Sequence, residues 1–380
     1  MADMLQTLSD DIAYIEAQGQ GLQVQAANQK LLKKEVESLL ETCAISESDL
    51  DALRVAPLDS AAGIEEIESA LVTLYKAMIK IDPAMGSGEP RKSEDESGQT
   101  LGLDSDYGKM RIVQEKKEMY LNESSLFMRK LVEFMARRFD QSFQLTKGAL
   151  DNALSKKVDA RNHEAGRDIL WMYSPLILYA RDVDASNWDR IMQLYQDKGQ
   201  PVYRSEFREA MESWKKNARK PTGDEAELLF TFQQEKKEEG LATTARKLTV
   251  KRSQTLARTL RSPLGDSGRQ TPVDKTADGR AIPYEVFAGV LDDLLPLVEM
   301  EQNFIVDFFH ATTLEQADFP ELVAVSRPRD RRGGDLKRHR LMEPDRELAR
   351  RVTKSMEVLF GFLELGLQQL LEWVLGMDPL

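Results

Sequence analysis

The 380-residue chain has one cysteine, three histidines and no apolar run long enough to cross a bilayer. A lone Cys43 rules out an internal disulfide and a cysteine-built zinc site within the chain, and it fits a reducing compartment. A membrane-spanning helix needs about 20 apolar residues. The most apolar patch, ILWMYSPLILYA at 169–180, is too short and reads as buried core, with Pro175 breaking or kinking a helix inside it. The opening MADMLQTLSDD lacks the charged-then-apolar order of a signal peptide. His163, His310 and His339 stand far apart, so no paired-histidine metal motif exists. There is no Gly-x-Ser-x-Gly turn, and GSGEP at 86–90 lacks the Gly-Lys-Ser/Thr ending of a phosphate loop. A net charge of −12 disfavours a bulk nucleic-acid role, which needs a basic face. These absences predict no cofactor, no metal, no small-molecule substrate and no catalysis.

What the chain does have is helical periodicity. Apolar residues make up 41% and charged residues 31%, the balance of long charged helices around real cores. The pattern centres on IEEIESALVTLYKAMIKI, residues 64–81. Ile64, Ile67, Leu71, Leu74, Met78 and Ile81 recur at steps of three and four, a heptad seam without a polar interruption. Glu65, Glu66, Glu68, Lys76 and Lys80 lie off that seam. Such a helix, about 27 Å long, needs another helix to cover its stripe. Residues 3–43 predict a second long helix. Leu5, Leu8, Ile12, Ile15 and Leu22 hold one phase, with Gly19 in the seam, and Gln25, Gln29, Leu32, Val36, Leu39 and Cys43 continue after a one-step slip. Both stripes are expected to be partner-binding seams. A turn through a short helix at 47–53, Pro57 and the Asp59-Ser60 pair joins them into a hairpin, and Asp82-Pro83 stops the second helix.

Five segments are expected: a coiled-coil hairpin at 1–82, a linker at 83–105, a helical bundle at 106–261, a linker at 262–281, and a second bundle at 282–380. In the first bundle, the helix begun at Tyr107 runs to Gln144 with an extension at 147–160. Two further helices at 187–194 and 202–214 are separated by Gly199-Gln200-Pro201. In the second bundle, Pro296 predicts a kink or junction within 282–311, and one final helix spans about Pro344 to Leu375. Residues 326–340, SRPRDRRGGDLKRHR, form a basic loop with seven Lys or Arg against two Asp. Its Arg327, Arg329, Arg331, Arg332, Lys337, Arg338 and Arg340 are candidates for contact with anionic membrane, each worth about 1 kcal/mol near such a leaflet. The start in mid-heptad and the end just after a helix predict a piece of a longer protein.

Five stretches in order, QVQAANQKLLKKEVESLLE, DYGKMRIVQEKKEMYL, SPLILYARDVDASNWDRIMQLYQ, VYRSEFREAMESWKK and EQNFIVDFFHATT, resemble the Sec-three family of exocyst subunits in a fungal version. The resemblance implies an all-α, elongated array of antiparallel helices and helical bundles with an N-terminal coiled coil. It implies a non-catalytic scaffold that joins other exocyst subunits and tethers secretory vesicles to the plasma membrane, cytoplasmic but recruited to sites of polarised secretion. The family's phosphoinositide- and Rho-GTPase-binding module has no counterpart in these residues, and its activities are not carried over. By position, Leu5 to Cys43 and Ile64 to Ile81 become the assembly seams. A peripheral binder of anionic membrane, acting through the basic loops, is the competing expectation. An enzyme would be recognised by an enclosed polar pocket.

Overall fold

The computed structural model of the chain describes residues 2–82, 109–153, 157–221, 280–311, 318–333 and 346–377. The expected linker at 83–105 lies outside the described residues, as do almost all of 262–281, the charged and basic stretch at 225–261, and Lys337, Arg338 and Arg340. Among the described residues the fold is all-α, with no strand and one isolated parallel bridge between Ala218 and Ala281.

The chain forms two compact units that do not follow the expected segment boundaries. The first comprises Met1–Asn152, Ala160–Val202 and Glu299–Leu359, and the second Ala153–Asp159, Tyr203–Val298 and Phe360–Leu380. The hairpin and the helix after it therefore share one body.

The first unit begins with α1, Ala2–Cys43, followed by a 3-10 turn at Ser48–Leu50 and the short α2, Asp51–Val55. Helix α3, Ala61–Ile81, starts where the sequence predicts, with the hydroxyl of Ser60 accepting from the Gly63 amide. Gly63 is required there, because a Cβ would lie 2.1 Å from the Pro57 carbonyl oxygen. Lys130, on α4 (Arg111–Asn152), donates to the carbonyls of Leu53, Arg54 and Ala56 and so caps α2. Burial pushes its ammonium pKa down.

Helix α4 is continuous and turns Tyr120, Phe127, Leu131, Met135 and Phe139 inward. Beyond it come α5, Glu164–Asp168, and α6, Ser174–Val183. Pro175 does not break a helix: it sits in the first turn of α6, where its missing N–H costs nothing. The aromatic core joins Tyr195 to Phe139 at 5.2 Å, Tyr195 to Phe304 at 5.4 Å, and Trp171 to Phe304 at 5.3 Å between ring centroids.

Helix α7, Ala185–Lys216, corrects the prediction of two helices, since it runs through Pro201 without interruption. A proline inside a helix costs about 3 kcal/mol. Apolar side chains on both sides of it, Ile191 and Tyr195 before and Tyr203 and Phe207 after, are buried and offset that cost. Gly199 is a packing glycine rather than a breaker, for a Cβ there would lie 2.8 Å from the Phe143 ring.

Helix α8, Pro283–Phe308, likewise continues through Pro296. His310 follows it with a left-handed φ of 52°. Helix α9, Phe319–Val325, and a 3-10 turn at Pro328–Asp330 come next. The predicted last helix is two, α10 at Arg346–Phe360 and α11 at Phe362–Met377, parted at Gly361.

The second unit is held by indoles and close glycines. Trp214 donates its indole N–H to Asp293 over 2.9 Å, and Lys157 lies 4.9 Å over its ring. Burial raises the Asp293 carboxyl pKa. Gly289 lets the Trp214 ring in, and Gly366 does the same for Phe207. Tyr203 meets Phe360 at 4.9 Å between centroids.

Candidate assembly surface

The two predicted seams have different fates. On α1, Ile12, Ile15, Leu22 and Leu32 are 50%, 65%, 62% and 52% exposed, and Val36 is 40% exposed. Leu39 is part-covered near the turn into the hairpin, where Glu41 pairs with Lys80 of α3 at 3.5 Å. Leu5 and Leu8 lie in α1, with their side chains outside the described residues. On α3, Ile64, Ile67, Leu71 and Leu74 are fully buried, Met78 almost so, and Ile81 partly.

The expectation that the α3 stripe is an open docking edge is therefore corrected: the chain covers it itself. The reason is the width of the stripe. Alongside the seam, Gly63, Glu68, Ala70, Tyr75 and Ala77 are also buried, so ten of the 21 residues of α3 face inward. A two-stranded coiled coil covers only a narrow a/d stripe, whereas a globular core helix buries a broader face. Helices α2, α4 and α9 and the 3-10 turns at Ser48–Leu50 and Pro328–Asp330 supply the covering, and α1 also touches α3.

Among the described side chains, the α1 stripe from Ile12 to Val36 has no such cover. Tyr14, Val24, Leu31 and Leu40 are exposed apolar residues off the predicted seam. The spacing of Val24 and Leu31 by one heptad is the sequence signal that marks them. Such a long row of exposed apolar side chains is the mark of an interaction surface.

The basic loop is divided in a similar way. Arg327, Arg329 and Arg332 are exposed. Arg332 also donates to the carbonyls of Arg329 and Arg331 over 3.2 and 3.1 Å. Arg331 is buried and closed to a membrane, which removes it from the candidate set. Its two Nη atoms hold the two oxygens of Glu68 at 2.6 and 2.9 Å, and they donate further to the carbonyls of Met172 and Ser326. Burial pushes the Glu68 carboxyl pKa up, against the pull of the guanidinium. The sequence reading sets Glu68 off the heptad seam. Its position four residues after Ile64 and three before Leu71 is the signal that puts it on the inner face.

Two other buried carboxylates are also paired, Glu301 with the buried Arg167 at 2.6 Å and Glu123 with the exposed Arg54. Among the described residues, no three His, Cys, Asp or Glu side chains cluster where they could hold a metal. No single helix among them is long and apolar enough to cross a membrane.

Comparison with known proteins matches both ends of the chain. Residues 1–80 match the family described as exocyst complex component Sec3, coiled-coil. Residues 308–380 match the family described as exocyst complex component Sec3, C-terminal. The Mus musculus protein exocyst complex component 1 is similar, at 22% identity over 326 residues, which is 81% of this chain and 33% of that protein. The chain thus spans about a third of the length of the curated relative it matches. No solved structure matches it significantly.

Proposed function

We infer that this chain, which carries the coiled-coil and C-terminal segments of the exocyst Sec3 family in that order, acts as a non-catalytic scaffold subunit of the exocyst. It joins other helical subunits and helps tether secretory vesicles to the plasma membrane, working in the cytoplasm and recruited to sites of polarised secretion. The observation that carries this reading is the α1 stripe, with Ile12, Ile15, Leu22 and Leu32 all at least half exposed. Fully burying such a side chain is worth about 1.5–3 kcal/mol, and a partner helix that covers the exposed half or more of each recovers a corresponding part. Gln25 and Gln29 in the same seam favour one register and one class of partner. The test is pull-down of the other exocyst subunits by the chain carrying Ile15→Asp with Leu22→Asp. Loss of capture with the fold intact is expected. Undiminished capture refutes the seam.

A second reading, contact with anionic membrane, draws on the exposed Arg327, Arg329 and Arg332. Flotation with anionic vesicles is expected to fall with salt and on replacing these three by alanine. Absence of salt-sensitive binding ends it.

A further inference from the structure

Residues 318–333 lie across α3 and against α6 and the turn at Trp171–Tyr173, where Gly333 abuts the Trp171 indole, and three buried side chains anchor them. Among these residues only Phe319, Pro328 and Arg331 are buried, while Val325 is 78% exposed. Phe319 sits at one end, its ring centroid 5.6 Å from that of Tyr75 on α3 and 5.2 Å from that of Tyr179 on α6. Arg331 sits at the other end, on Glu68. Between these ends the segment keeps its own local order. The Asp318 amide donates to the Glu321 carboxylate at the start of α9, and the Asp330 amide donates to the Arg327 carbonyl.

The grip of Arg331 on Glu68 is weaker than its geometry suggests. Taking two charges out of water offsets most of their attraction, so a buried pair contributes little beyond an apolar contact of equal size. The elements beneath are held differently. Helix α4 presses Tyr120, Phe127, Leu131 and Met135, all buried, into the same unit. Local opening follows the density of apolar burial, and the thinly anchored layer opens first.

We propose that residues 318–333 form a releasable clasp over α3, one that opens as a unit while α3, α4 and α6 stay folded. Opening uncovers the edge of α3 around Glu68 and Tyr75 and enlarges the apolar surface the hairpin offers. The clasp is thus a built-in control on how much of α3 is accessible. The opening is a property of the chain alone and independent of the assembly role proposed above.

The experiment combines hydrogen exchange with hydroxyl-radical footprinting on the whole chain, as wild type, as Arg331→Met, and as the apolar double variant Glu68→Leu with Arg331→Met. In the wild type, the amides of Leu322 and Asp330 exchange at least tenfold faster than those of α4. Arg331→Met raises oxidation of Phe319 and Tyr75 several-fold and leaves Phe139, deep in the same unit, unchanged. The double variant returns Phe319 and Tyr75 to wild-type protection or better, because an apolar pair replaces the desolvated one. The proposal is overturned if Arg331→Met oxidises Phe139 as much as Phe319, if it changes neither, or if it abolishes helical circular dichroism. The first and last of those results mean that clasp and core open only together, and the second means that Arg331 does not hold the segment.

Discussion

Tyr195 donates its hydroxyl to one oxygen of Glu301 over 2.6 Å, while Arg167 holds the other oxygen at the same distance. All three side chains are buried, so the carboxylate of α8 is fixed from α7 and from α5. Replacing Glu301 with alanine leaves the Arg167 guanidinium buried without its counter-charge. A loss of about 3–5 kcal/mol in urea unfolding is expected, against about 1.5–3 kcal/mol for Tyr195→Phe, which removes one hydrogen bond to a charged acceptor.

Gly63 offers a test with a reversed sign. Alanine inside a helix is normally better than glycine by about 1 kcal/mol. Here the added methyl meets the Pro57 carbonyl oxygen and ring at once. Gly63→Ala is expected to lower stability by about 1–3 kcal/mol, read as a lower melting temperature by circular dichroism.

The two heptad stripes predict opposite outcomes for the same kind of substitution. Leu71→Asp with Leu74→Asp places two carboxylates in a closed core and is expected to unfold the first unit, visible as lost cooperative melting. Ile15→Asp with Leu22→Asp changes only exposed positions and is expected to alter stability by no more than about 0.5 kcal/mol. A large stability loss in the second variant would show that the α1 stripe is covered within the chain.

His310 predicts an acid-sensitive stability. Its Nε2 lies 2.9 Å from both the hydroxyl and the carbonyl of Ser174. Burial pushes its pKa down from 6.5 to about 4, with the Arg181 guanidinium adding to that and the Ser174 carbonyl opposing it. The unfolded chain therefore binds the proton first. Stability held above pH 6.5 declines as pH falls toward 4, by no more than about 3 kcal/mol. His310→Asn tolerates the left-handed backbone and is expected to flatten this slope. Chemical unfolding of both proteins at pH 7 and pH 4.5 measures the difference.

Much of the fold is legible in the residue pattern. Ser60 as the cap of α3, the long α1, and the inward face of α4 at Phe127, Leu131 and Phe139 all follow from spacing and local hydrogen bonding. Four features do not. Pro201 and Pro296 carry the strongest local signal for a break, yet α7 and α8 run through them, because tertiary burial outweighs a local penalty of a few kcal/mol. Gly199 looks like a hinge and is instead a contact point, which depends on Phe143, 56 positions earlier in the sequence. The two stripes look alike along the chain, and only the residues flanking the α3 seam, Gly63, Glu68 and Ala70, distinguish a buried helix from an exposed one. The role of Arg331 was hidden for the same reason, since its partner Glu68 lies 263 positions away.

Helix α1 reaches about 60 Å at 1.5 Å per residue, and along most of that length its own chain lends it no shelter. A helix draws most of its stability from packing rather than from propensity. Left uncovered, this arm is expected to fray before the packed helices of the same unit and to be the first place a protease cuts.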